Sequence, residues 1–247
     1  MFVLFSRLRF IALPAFLMAL TAIMVASAAG AAEPKNDTLG VPGNYGDAMR
    51  WYERSAKRGK ARAQFYLGML YEQGQKSPDG KPDIKEAIAW FTKAAGQGHR
   101  QAQLKLGLIY YQGKSIAQDY KESAHWFEKA AAQGSSQAKY NLALMLVRGL
   151  GVAKDAARAA ELFEEVVIRG IKEAALHLAV LYGQADRKGD PKDDNQKQDK
   201  LLALMWLEWA KGQGLNPDPD FYKRLSGSMT ETEIAKAREL ALERLKK

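Results

Sequence analysis

Few residues in this sequence have the chemistry for catalysis or metal binding, and their spacing argues against both. His99, His125 and His177 are three scattered histidines, whereas zinc takes ligands at i and i+4 or in tight clusters. Cysteine is absent, which excludes disulfides and thiolate metal sites. Gly113-Lys114-Ser115 ends like a phosphate-binding loop, but Leu108 stands where the loop needs its first glycine, and no strand is predicted before it. Ser136-Gln137-Ala138-Lys139 matches the Ser-x-x-Lys of penicillin-interacting enzymes, without a Lys-Thr-Gly or Ser-Asp-Asn partner. Ser136 is better explained as the cap of a helix beginning near Ala138. Asp193-Asp194-Asn195 lacks the spacing and turn glycine of a calcium loop and reads as a solvated charged loop. No catalytic residue, metal or cofactor is expected.

Trp51, Trp90, Trp126 and Trp206 could stack a ligand, but each holds the same place in a repeated frame, which suits packing between helices. Around Trp126, Asp119 lies seven residues before, Gly134 eight after and Ala138 twelve after. Asp83, Trp90, Gly98 and Ala102 fit that frame, as do Asn44, Trp51, Gly59 and Ala63, and Asp155, Leu162, Gly170 and Ala174. Asp199, Trp206 and Gly214 match at the back, where Asp218 replaces the alanine. The anchors are 39, 36, 36 and 44 residues apart. This period predicts an all-α solenoid of stacked antiparallel helix pairs, winding as a right-handed superhelix.

In each copy the Asn or Asp before the anchor is the expected N-cap, and the glycine after it the expected left-handed C′ residue. A second helix begins near Ala63, Ala102, Ala138 or Ala174. Its positions 1, 5, 8 and 12 form one packing face at ~100° per residue. Position 6 is Gly68, Gly107, Ala143 or Ala179, so a neighbouring helix is expected to approach closely there. Positions 4 and 11 form a polar, slightly basic stripe of Tyr66, Lys105, Asn141 and His177 with Gln73, Gln112, Arg148 and Gln184. Tyr71, Tyr110 and Tyr182 are expected to pack.

Four segments follow. Residues 1–28 read as a signal peptide: Arg7 and Arg9 precede an apolar run from Phe10 to Val25, then Ala26-Ser27-Ala28, with Ala29-Gly30-Ala31 as an alternative cleavage frame. Sixteen residues are short for a membrane span of ~20. Residues 29–43 form a flexible lead-in, residues 44–214 the repeats, and residues 215–247 a helical cap, with a short helix at Phe221–Leu225 and a longer one over Thr230–Lys246. Thr230 and Glu233 have the spacing of a capping box. The Ser77-Pro78-Asp79-Gly80 insert reads as a turn, and Asp186 to Lys200 as a mobile loop. The chain carries +9, or +7 without residues 1–28; export makes nucleic acid an unsuitable target for that charge.

The run Ala-x3-Leu-Gly-x2-Tyr-x2-Gly occurs as Ala63/Leu67/Gly68/Tyr71/Gly74 and as Ala102/Leu106/Gly107/Tyr110/Gly113. Together with Gly149-Leu150-Gly151-Val152 and Trp-Phe-x-Lys-Ala-Ala-x-Gln-Gly, it resembles the Sel-1-like repeat family, a relative of the tetratricopeptide repeat. The third copy departs at Leu146 and Leu162, and the fourth at Gln184-Ala185. The resemblance implies an exported, periplasmic or secreted adaptor without enzymatic activity and without a membrane span after cleavage. Its partner would be a protein, bound by an extended segment or loop in a concave groove lined by Tyr66, Gln73, Lys105, Gln112, Asn141, Arg148 and His177. Cysteine-rich secreted members suggest an alternative, a β-lactam- or peptidoglycan-binding, weakly hydrolytic protein, but this chain lacks their paired cysteines. A third possibility is a basic binder of envelope surfaces, with steep salt dependence.

Overall fold

The computed structural model describes residues 45–76, 80–184 and 194–246. The expected leader, the lead-in, the Asn44 cap, Ser77-Pro78-Asp79 and residues 185–193 lie outside them. The described residues form helices and no strand: α1 (Tyr45–Lys57), α2 (Ala61–Glu72), α3 (Ile84–Gly96), α4 (Arg100–Gln112), α5 (Tyr120–Ala132), α6 (Ser136–Arg148), α7 (Ala156–Ile168), α8 (Ala174–Gly183), α9 (Asp194–Gly212), α10 (Pro219–Ser226) and α11 (Glu231–Leu245).

The starts and stops follow the repeated frame. Asp83 Oδ1 accepts from the Glu86 amide at 3.0 Å, Asp119 Oδ1 from Lys121 and Glu122 at 3.0 Å, and Asp155 Oδ1 from Arg158 at 2.9 Å. Each satisfies an amide that the first turn leaves without an intrahelical partner. At the other end Gly59, Gly98, Gly134, Gly170 and Gly214 all have φ between +80° and +94°. The chain reverses there into the next helix, with His99 N donating to Ala94 O at 3.1 Å and Gly98 N to Ala95 O at 3.0 Å. Thr230 and Glu233 close a capping box at the start of α11.

Three expectations are corrected. Ser135, not Ser136, caps α6: its Oγ accepts from the Ala138 amide at 3.3 Å, and Ser136 is already the first helical residue. Asp199 is not a cap, because α9 begins at Asp194 and carries Asp199 inside it. The expected loop over Asp186–Lys200 is therefore helical from Asp194 onward. Beyond Pro191 the segment has no Gly or Pro, and its Gln and Lys residues are good helix formers.

Contact is most extensive within α2–α3, α4–α5, α6–α7 and α8–α9 and, as extensive as α6–α7, between α9 and α11; each of the four pairs then meets the next. The structural unit thus starts with the alanine helix, and α1 is an additional helix packed on α2. At the far end α11 packs on α9, with Leu245 against Gly212 and Arg238 Nε 3.0 Å from Glu208 Oε1.

In the copies anchored at Trp90, Trp126 and Leu162 the deepest ring is the residue after the anchor. Phe91, Phe127 and Phe163 are fully buried, whereas Trp51 and Trp90 are half-buried; Trp126 and Trp206 are buried. The close approach expected at position 6 is where these rings sit. A Cβ on Gly68 would lie 2.6 Å from two carbons of the Phe91 ring, and one on Gly107 would lie 2.6 Å from the Phe127 ring. Ser123 completes the contact around Gly107 by donating its Oγ hydrogen to Gly107 O at 2.8 Å.

A polar ladder links the first repeats. Buried Gln64 donates to Ala56 O at 3.2 Å and accepts from Gln97 at 2.6 Å. Buried Gln103 repeats this with Ala95 O at 3.1 Å and Gln133 at 2.6 Å. The ladder stops where Lys139 replaces the glutamine and pairs with Glu165 instead. Gln103→Ala would remove both bonds, but Ala95 O keeps the Gly98 amide and the exposed Gln133 can turn to water, so it should cost about 0.5–1.5 kcal/mol in urea unfolding; the exposed neighbour Gln101→Ala should cost under ~0.5 kcal/mol.

Candidate functional site

The stripe follows α2, α4, α6 and α8, with Gln73 and Gln184 just past the ends of α2 and α8 as their C-caps. Gln73, Gln112 and Arg148 are exposed at the ends of α2, α4 and α6. Tyr66, Lys105, Asn141 and His177 are half-buried. The stripe is therefore less uniformly solvated than the helical angles suggest.

Its members are held from the neighbouring repeat. Lys105 Nζ lies 2.9 and 3.2 Å from the two carboxylate oxygens of Glu72, tying α4 to α2. Arg148 Nη1 donates to the Tyr111 hydroxyl at 3.4 Å, tying α6 to α4. His177 Nε2 is 3.0 Å from the Tyr140 hydroxyl, tying α8 to α6. Tyr66 packs among Tyr52 and Phe65, with the Arg62 guanidinium 5.7 Å from its ring centre. Glu72, Tyr111 and Tyr140 were not among the expected site residues. For the first two the signal was available, since both stand one position before the exposed residue that closes the stripe, and both carry a polar head.

His177 is the most altered of the set. Its ring stacks on Phe163 at 5.2 Å between centroids, 13° from parallel. Loss of solvent, then the Arg148 charge, lowers its pKa to about 4, so at neutral pH the imidazole is uncharged. Burial, with the Glu173 carboxylate adding to it, pushes Tyr140 up to about 12. Asn141 Nδ2 is buried without a hydrogen-bond partner.

The other chemical candidates are occupied structurally. His99 Nδ1 caps α4 by accepting from Ala102 N at 3.3 Å, and its ring stacks on Phe65 at 4.7 Å. Lys139 is paired with Glu165, so its amine is held away from service as a free base for Ser136. Among the described residues no group of three His, Asp or Glu side chains is placed to hold a metal ion, and no helix is long and apolar enough to cross a membrane.

Comparison with known proteins agrees with this architecture. The Sel1 repeat model matches residues 36–60, 61–99, 100–135, 136–165 and 172–215, well over half of the chain, and the last four of these segments open at or just before an alanine helix. Among solved structures, the chain is similar to c5321, a protective antigen of uropathogenic Escherichia coli with an SLR fold. The two share 28% identity over 81% of this chain and 41% of the antigen, with a TM-score of 0.60. A Sel1 repeat protein of Oxalobacter formigenes shares 33% identity over 51% of this chain and 92% of its own, at a TM-score of 0.46. Helicobacter pylori cysteine rich protein B shares 18% identity over 53% of this chain and 96% of its own, at 0.39. This chain thus spans less than half of the antigen's length. No curated protein matches the sequence. Five matched segments and one repeated helix pair lead to the same conclusion: the chain belongs to the Sel1 repeat family, whose repeats build a scaffold of the protein-interaction type.

Proposed function

We propose that the chain is an exported adaptor or regulator of the bacterial envelope, without catalytic machinery, that captures an extended segment or loop of a partner protein along the α2–α4–α6–α8 stripe. The observation that carries this reading is the bracing of the stripe from repeat to repeat. Lys105, Arg148 and His177 each touch a side chain of the preceding repeat, so little side-chain freedom remains to be lost on binding. Gln73, Gln112 and Arg148 stay exposed for contact. Export rests on the leader pattern of residues 1–28, and it suits a chain whose E. coli relative is a protective antigen.

A photo-crosslinker at Gln112 tests the site. It should trap a discrete envelope protein, whereas the same group at Ile168, a 79% exposed residue on α7, should not. Equal trapping from both positions would reject the stripe. Lys105→Glu/Arg148→Glu should abolish the Gln112 product. Lys105→Glu also sets a second carboxylate beside half-buried Glu72, so the melting control is Lys105→Gln/Arg148→Gln, which only loses the pairs and should cost about 1 kcal/mol. N-terminal sequencing of the envelope form tests export: Ala29 should be its first residue, or Ala32 if the alternative frame is cut. An uncut Met1 would remove the leader from the proposal.

A further inference from the structure

We propose that α1 and the turn into α2 form an electrostatic docking face for an anionic phospholipid bilayer. This goes beyond the protein-partner reading and does not depend on it. Between Tyr45 and Arg62 stand six basic residues and two acids, a balance of +4 in 18 residues, against +9 for the whole chain of 247. The 63 residues from Ala185 to Lys247, with 13 basic and 12 acidic, balance at +1. The positive charge is concentrated at one end of the array.

The geometry puts that charge on the surface. Arg50, Arg54 and Lys57 recur at i, i+4 and i+7 on α1, which brings them to one face, and all three are exposed. Arg58 and Lys60 in the turn and Arg62 at the start of α2 extend the exposed basic surface. Glu53 lies on the same helix, but Lys76, beyond the end of α2, pairs with it. One of the two acids is thus neutralised from outside the patch. Among the described helices α1 packs substantially on α2 alone, so its cationic face is not covered by another repeat.

A bilayer fits this face better than an acidic protein segment does. The cations are spread over a helix face, a turn and the next helix start, suited to a continuous negative surface. Basic segments are drawn to anionic leaflets within a Debye length, with a gain of about fivefold in affinity per Lys or Arg near the surface. Trp51 adds an amphipathic ring: like Trp90 it is only half-buried, whereas Trp126 and Trp206 in the same frame position are buried, and it stands edge-on to Tyr52 at 5.2 Å. Half-exposed tryptophan beside arginine and lysine is the composition of a membrane interface.

The test uses the chain expressed whole and purified as the cell delivers it, floated with vesicles of phosphatidylcholine alone or with phosphatidylglycerol. Flotation should require phosphatidylglycerol. It should be lost as salt rises from about 0.1 M to about 1 M, which shortens the Debye length from ~10 to ~3 Å. Arg54→Glu/Lys57→Glu/Arg58→Glu should weaken it by at least about 100-fold, the loss of three cations at about fivefold each with the repulsion of three added carboxylates beyond that, and with melting unchanged. The milder Arg54→Gln/Lys57→Gln should weaken it by about 25-fold if the triple variant folds poorly. Lys105→Glu/Arg148→Glu should float like the original, which separates this face from the partner stripe. Flotation with neutral vesicles, undiminished flotation of both α1 variants, or binding only to soluble dextran sulfate would each overturn the assignment, the last by indicating an acidic macromolecule instead of a bilayer.

Discussion

Phe127→Ala should be the most damaging single truncation, destabilising the chain by about 3–5 kcal/mol in urea unfolding. The ring is fully buried and seats on Gly107 of α4. Trp90→Ala, at a half-buried anchor, should cost no more than ~2 kcal/mol although tryptophan is the larger residue. Gly107→Ala separates packing from helix propensity. Alanine gains about 1 kcal/mol over glycine within a helix, but here its Cβ would lie 2.6 Å from the Phe127 ring, and overpacking costs about 1–3 kcal/mol. The variant should therefore gain nothing or lose stability. Combined with Phe127→Leu, it should be less harmful than the two single effects added, by ~0.5–3 kcal/mol. A stabilising Gly107→Ala, or strict additivity, would show that the ring does not seat on that glycine.

Acid lability from His177 should be the second large effect. Its pKa is lowered from 6.5 to about 4 by burial and the Arg148 charge. Above about pH 6.5 the ring is neutral in both folded and unfolded chains, and stability is unaffected. As pH falls below that, the unfolded chain takes the proton and the folded one does not, so stability falls until about pH 4, where both are protonated. A difference of about 2.5 units corresponds to roughly 3 kcal/mol, an upper figure because the side chain is only half-buried by surface area. Melting followed from pH 7 to pH 4 should show the decline, and His177→Gln should flatten part of it. An identical slope in the variant would assign the lability to other groups.

The repeat frame was legible because each of its signals acts locally. Asp83, Asp119 and Asp155 cap helices, and the five repeated glycines take positive φ, as a side-chain oxygen and an absent Cβ dictate within one turn. The family match follows from the same residues. Depth was less legible. Tryptophan is the conspicuous residue of the frame, but the phenylalanine after it lies 100° further round the helix, and that angle faces the glycine of the preceding helix. Which side a helix turns inward depends on its neighbour. Asp199 shows the same limit: in the earlier copies a break precedes the aspartate, whereas here the helix already begins at Asp194. The stripe was placed by helical angle alone. Angle could not reveal that Glu72, Tyr111 and Tyr140 reach across from one repeat to restrain the next.

Several polar crosslinks between neighbouring repeats join residues about 30 to 37 positions apart, as in Gln103 with Gln133, Lys105 with Glu72 and Tyr140 with His177. No later segment has to return across the whole chain to complete an early repeat. Loop-closure entropy for such pairings is modest, and local topologies fold quickly. A chain that emerges gradually, from a ribosome or a translocation channel, can therefore complete each layer once the next helix pair has cleared the exit. The exposed intermediate is then only the most recent layer, as α9 is until α11 packs on it.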